Sequence, residues 1–166
     1  MGRSAAVDDR AWLGWLLLGG VVVASFDLAF ATSFWWISGE VPAQRILQSI
    51  ASGVYGKASF SGGAQTAWVG AGLHYLIAVV MVLLYGLAAR HWNRLIEQPW
   101  FFGVLYGGTL YVAMSFVIVP LSRANTPQFN PLWIGASILA HLLIGVLCAG
   151  FARKAVRAIS VRHPAP

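Results

Sequence analysis

Four stretches of this 166-residue chain run almost without charge, at about residues 12–37, 64–89, 100–121 and 132–151. A helix needs about 20 apolar residues to cross roughly 30 Å of hydrocarbon, and each stretch reaches that length. The expected fold is an all-α membrane protein: an up-down bundle of four transmembrane helices forming a single domain over residues 1–166. Composition agrees, because 58% of the residues are hydrophobic and 10% charged. Soluble domains run nearer 45–50% and 25%. A soluble chain of this length has too little interior to hide so much apolar side chain.

The partner implied is the lipid bilayer. A net charge of +6 raises nucleic acid as an alternative. The basic residues, however, stand at the ends of the apolar stretches, where they set topology, and gather on no single module. Nucleic-acid binding is not expected. The single cysteine, Cys148, lies inside an apolar stretch and says nothing of redox compartment. The first stretch has some features of a secretory signal, including the small-x-small run Ala29-Phe30-Ala31. Asp8 and Asp9 ahead of it, and a length beyond the roughly 7–15 apolar residues of such signals, favour a retained helix instead.

The connections are unequal. Gly39 to Pro42 ends the first span, and residues 43–55 place Ile46, Leu47, Ile50, Ala51 and Val54 on one helical face with Gln44, Arg45, Gln48 and Ser49 opposite. About four turns cannot cross the bilayer, so this segment should lie along the interface or dip in and return. Pro99 and Pro131 open the third and fourth spans at a position where proline costs a helix little. A basic tail is expected over residues 152–166. Arg3, Arg10, Arg90, Arg94, Arg153, Lys154, Arg157 and Arg162 lie on the side of the termini, eight in all; Arg45, Lys57 and Arg123, three, lie on the other. The positive-inside rule then puts both termini in the cytoplasm of a multi-pass protein. Trp35, Trp36, Trp68, Trp100 and Trp133 near the span ends fit an aromatic belt.

Within the spans three ionisable residues stand out. Asp27 in span one, His74 in span two and His141 in span four each sit roughly 12–15 Å from the same surface by helix rise. Tyr111 falls at that depth on span three, and Arg123 could guard the mouth above. Small residues flank each at helical spacing: Gly20, Ala24 and Ala31; Ala67, Ala71 and Ala78; Gly103, Gly107 and Ser115; Ser137 and Gly145. Such spacing marks faces where helix backbones approach closely in membranes. The polar layer should therefore point into the bundle. Lone intramembrane histidines and aspartates can serve only to hydrogen-bond across helices, but ionisable residues in spans are functional by default.

No Gly-rich phosphate loop, HExxH, CxxC or nucleophile elbow is present. From Trp68 to about Arg157 the chain carries Trp68-Val69-Gly70, His74, Tyr85, Trp100, Gly103, Gly107, Met114, Phe116, Pro120-Leu121, Thr126-Pro127, Phe129, Pro131, Trp133, Ser137 and His141-Leu142. In this pattern it resembles the YagU-type bacterial inner-membrane proteins. The resemblance implies a multi-spanning inner-membrane protein with histidines at positions 74 and 141, and it does not reach Asp27.

Three functions fit these residues. Protons or a small ion could pass along Asp27, His74 and His141 in relay, as ionisable chains do in pumps and transporters, and histidine titrates near physiological pH. Alternatively, His74 and His141 could ligate a haem iron from opposite sides, or join Asp27 around a transition metal. The third reading is an accessory subunit of a membrane complex, its polar layer locking the bundle. A homo-oligomer or larger membrane complex suits any of these, and enzymatic activity is not expected.

Overall fold

The computed structural model describes residues 2–124 and 130–160, and no strand occurs among them. The helices are α1 (Gly2–Gly39), α2 (Ala43–Tyr55), α3 (Gly63–His91), a short α4 (Arg94–Glu97), α5 (Pro99–Leu121) and α6 (Pro131–Ser160), with a 3₁₀ segment, Gly56–Ser61, between α2 and α3. Four of them, α1, α3, α5 and α6, are long and apolar enough to cross a membrane. The protein is a multi-pass membrane protein of all-α class. Its outer surface is that of lipid-facing helices, with Leu17, Leu76, Leu84, Leu105, Leu139 and Leu143 all exposed. Thr126, Pro127, Phe129 and Arg162 lie outside the described residues.

Pro99 and Pro131 open α5 and α6 as expected, and the Asn130 side chain caps α6 by accepting the Trp133 N–H at 3.1 Å. Two spans run further than their apolar stretches. α1 reaches back to Gly2, because nothing between there and Trp12 stops a helix once it is propagating. α6 continues to Ser160, so Arg153, Lys154 and Arg157 of the expected basic tail are carried on the helix. Ala152 and Ala155 explain this: both favour helix, and both are fully buried.

The start of α1 and the last turns of α3 and α6 share one end of the bundle. There the Arg90 guanidinium lies 4.5 Å over the Trp12 ring and the Lys154 ammonium 5.2 Å over Trp15, which joins the start of α1 to the ends of α3 and α6. We call this the basic end and the opposite one the α2 end. The core behind it holds Leu16, Val23, Val82 and Cys148, all fully buried. Small residues set the helix spacing. A Cβ on Gly107 would overlap the His141 carbonyl oxygen, and one on Gly145 would overlap that of Gly103, so α5 and α6 touch backbone to backbone. Gly20 meets Val79 of α3 in the same manner, where a Cβ would come within 2.7 Å of the Val79 Cα.

The bundle is not a regular ring. α6 packs on α1, α3 and α5, while α3 and α5 scarcely approach one another. At the basic end the tyrosines bridge this gap: Tyr106 donates from its hydroxyl to the Met81 carbonyl at 2.8 Å and stacks edge-on against Tyr85 at 5.1 Å. At the α2 end the gap stays open. A π-helical stretch, Met114–Ile118, lies in α5 beside it, with the Val119 N–H reaching the Met114 carbonyl five residues back. Pro120 accounts for it, since proline lacks an N–H and its ring collides with the carbonyl four residues earlier, a conflict that a wider turn relieves.

α2 does not span, as its length requires, but its faces are arranged differently from the amphipathic expectation. It packs on α3 where Gly70 leaves no side chain, so that a Cβ there would overlap the Leu47 carbonyl oxygen. Gln48, expected on the wet face, is 2% exposed and donates from Nε2 to the Gly63 carbonyl at 3.0 Å. Ile46, Ser49 and Ile50 turn toward the open gap between α3 and α5.

Candidate functional site

That gap is a cavity of about 560 Å³, and its wall contains Asp27, His74, Tyr111 and His141. Each of the four spans therefore contributes one member of the expected polar layer to one space. Arg123 does not join them. It is exposed, and its backbone N–H donates to the Gly53 carbonyl at 3.0 Å, tying the end of α5 to the end of α2. Its placement follows from α5 stopping at Leu121, so that residue 123 lies above the wall in the connection and not in it.

The centre of the site is a pair. His74 Nε2 lies 3.0 Å from the Ala24 carbonyl oxygen and 3.8 Å from Asp27 Oδ2. Both partners are on α1, three residues apart, so both fall on one face of that helix and His74 reaches across from α3 to meet them. The fully buried Ala24 permits this approach. A carbonyl can only accept, so Nε2 carries a hydrogen and donates it; the lone pair is then on Nδ1. The pair is partly open to the cavity, with side chains 14% and 28% exposed for His74 and Asp27.

His141 is held by its own helix. Its Nδ1 lies 2.8 Å from the Ser137 carbonyl oxygen, one turn back, which fixes the hydrogen on Nδ1 and leaves Nε2 as the nitrogen that can take up a proton. Tyr111 meets the imidazole edge-on at 5.5 Å between ring centroids. Each imidazole thus keeps one N–H anchored on a backbone carbonyl and one nitrogen available, in the wall of the cavity that Asp27 also lines.

The metal reading fares less well. Among the described residues no group of three His, Cys, Asp or Glu side chains could hold an ion. His74 and Asp27 adjoin, while His141 stands beside Tyr111, so two histidines and a carboxylate do not meet around one point.

Most of the remaining wall is apolar: Val23, Ile46, Ile77, Met81, Phe116 and Ile144 among others. Two residues expected in the aromatic belt are turned inward. Trp35 and Trp133 line the cavity and pack with Phe30 and Phe34 in a cluster that ties α1 to α6, with the Trp35 and Trp133 ring centroids 5.3 Å apart. Trp36, Trp68 and Trp100 remain exposed at 59%, 77% and 74%, as a belt requires. Sequence reasoning missed the part that α2 and the π-helical stretch play in the wall. The amphipathic pattern of α2 was the available signal, since an apolar face can cover a gap between helices as well as dip into lipid. No family model, curated protein or solved structure matches the chain.

Proposed function

We propose that this is an inner-membrane protein, its termini in the cytoplasm, that moves protons together with a small, largely apolar solute. The observation that carries the reading is the Asp27–His74 pair, 3.8 Å apart in the wall of a cavity of about 560 Å³ that also holds His141. Ionisable groups are expensive in a membrane interior and cluster on ion and substrate paths. Two imidazoles with one free nitrogen each share this cavity with one carboxylate, which equips the site to take up and release protons.

An open channel fits less well. Below the cavity, Leu16, Val82 and Cys148 are fully buried and close the bundle toward the basic end. Exchange between the two sides then requires the bundle to open alternately. The size and apolar lining of the cavity exceed what a proton needs, which is the reason for including a solute. The small-residue contacts of Gly20, Gly103, Gly107 and Gly145 provide smooth surfaces on which helices can shift. The orientation rests on the eight-to-three distribution of basic residues, and the spaced resemblance to YagU-type proteins from Trp68 onward agrees with the inner membrane.

Proteoliposomes carrying a pH-sensitive dye and an imposed membrane potential test this. Internal pH should change faster with the protein than without it, and Asp27→Asn should abolish the difference. Equal rates for the wild type and Asp27→Asn would remove the carboxylate from the path. An absorption spectrum of the purified protein with a Soret band would replace the proton reading by the haem alternative.

A further inference from the structure

A second hollow, of about 420 Å³, lies at the basic end between the start of α5 and the last turns of α6. Its α6 wall changes character along one helical stripe. Leu147 comes first, then Gly150, then Arg153, Lys154 and Arg157. Leu147, Gly150, Arg153 and Arg157 recur every three or four residues and so face one way, with Lys154 beside them. Trp100 of α5, 74% exposed, closes the other side. From Leu147 to Arg157 the stripe rises about 15 Å, from hydrocarbon depth to the level of the headgroups.

Among the residues whose side chains are described, no carboxylate lies within ion-pair distance of Arg153, Lys154 or Arg157. The Nε of Arg153 is buried with no hydrogen-bond partner. Lys154 rests between aromatic rings, 5.2 Å from Trp15 and 5.5 Å from Phe151, which orients its ammonium without neutralising it. Gly150 in the middle leaves open space, where a Cβ would meet nothing within 4 Å.

We propose that this groove binds one anionic phospholipid, its phosphate among Arg153, Lys154 and Arg157 and an acyl chain along Leu147 and Gly150. Basic residues at a span end have the general task of setting topology, and on their own they attract any anionic surface. A groove that joins three cations to an apolar channel asks for a molecule with both parts, and a phospholipid is that molecule. The buried Arg153 Nε is the feature that general attraction does not explain.

The test is native mass spectrometry of the full chain purified in a neutral detergent, with phosphatidylglycerol or phosphatidylcholine added in equal amounts. One phosphatidylglycerol per chain should be retained in preference to phosphatidylcholine. Arg153→Gln with Arg157→Gln should lower that retention roughly thirtyfold, at about 1 kcal/mol for each cation removed. Gly150→Leu should do the same while leaving every charge in place, and because it fills open space and favours helix it should keep the fold. Equal retention of the two lipids by the wild type overturns the proposal. So does wild-type retention by Gly150→Leu, which would mean surface attraction with no groove. If inorganic phosphate displaces the lipid as well as free phosphatidylglycerol does, the site is one for phosphate alone and the lipid assignment falls.

Discussion

Gly107 and Gly108 are neighbours on α5 with opposite surroundings, and replacing each by alanine separates backbone packing from helix propensity. At position 107 a Cβ would overlap the His141 carbonyl oxygen and come within 2.7 Å of the Leu142 Cα; at 108 the nearest atom is the flexible Leu142 Cδ2 at 3.9 Å. Both substitutions gain the same intrinsic preference, about 0.8–1.0 kcal/mol for alanine over glycine in a helix interior. Gly107→Ala must in addition push α6 away from α5, an overpacking cost of about 1–3 kcal/mol, near the upper end because backbone atoms cannot rotate aside. The expected result is that Gly108→Ala is neutral or stabilising while Gly107→Ala is less stable than it by about 1–3 kcal/mol. Unfolding in mixed micelles with increasing sodium dodecyl sulfate, followed by tryptophan fluorescence, measures the difference. Since the displaced carbonyl belongs to His141, Gly107→Ala should also disturb the cavity wall. Equal stabilities for the two variants would refute the close α5–α6 contact and the inward placement of His141 that depends on it.

Cysteines at Gln44 and Gln48 should behave differently toward a membrane-impermeant thiol reagent: the first is exposed and should react, and the second is buried against α3 and should be protected. Reaction at both would mean that α2 lies loose on the surface. Reporter fusions after Arg94 should resemble fusions to either terminus, and one after Lys57 should report the opposite compartment, as the shared basic end of α1, α3 and α6 requires. Tyr106→Phe should cost about 0.5–1.5 kcal/mol of stability in the same unfolding assay, because it removes the 2.8 Å bond that holds α5 to α3 at the basic end. No loss would show that the ring contact with Tyr85 suffices.

The spans were legible because bilayer thickness imposes a length that few other constraints imitate. Pro99 and Pro131 mark their starts by a local rule, and the depth of Asp27, His74, Tyr111 and His141 follows from helix rise alone. What single-helix patterns cannot express is how helices diverge. The cavity exists because α3 and α5 separate at one end while Tyr85 and Tyr106 bridge them at the other, a property of pairs of helices. Gln48 illustrates the same limit: polar in the sequence, it is buried because the Gly63 carbonyl is within its reach. The π-helical turn before Pro120 was foreshadowed by the proline, although the sense of its adjustment depends on neighbours. The basic run after Phe151 carries the last helix on to Ser160, with Ala152 and Ala155 buried along it, an extent that the apolar pattern ending near Phe151 does not mark.

Whether Asp27 and His74 act as one proton-exchanging unit is the central claim, and a double-mutant cycle on proton flux addresses it most directly. Asp27→Asn, His74→Gln and the double variant would be reconstituted at equal density and their flux compared with that of the wild type. Residues that share a partner couple by about 0.5–3 kcal/mol, whereas independent ones add. The pair 3.8 Å apart should therefore lose its function once, with the double variant no slower than the slower single. If the two losses multiply, or if neither single variant changes the flux, the two residues do not work together and the intramembrane pair is only a contact between α1 and α3.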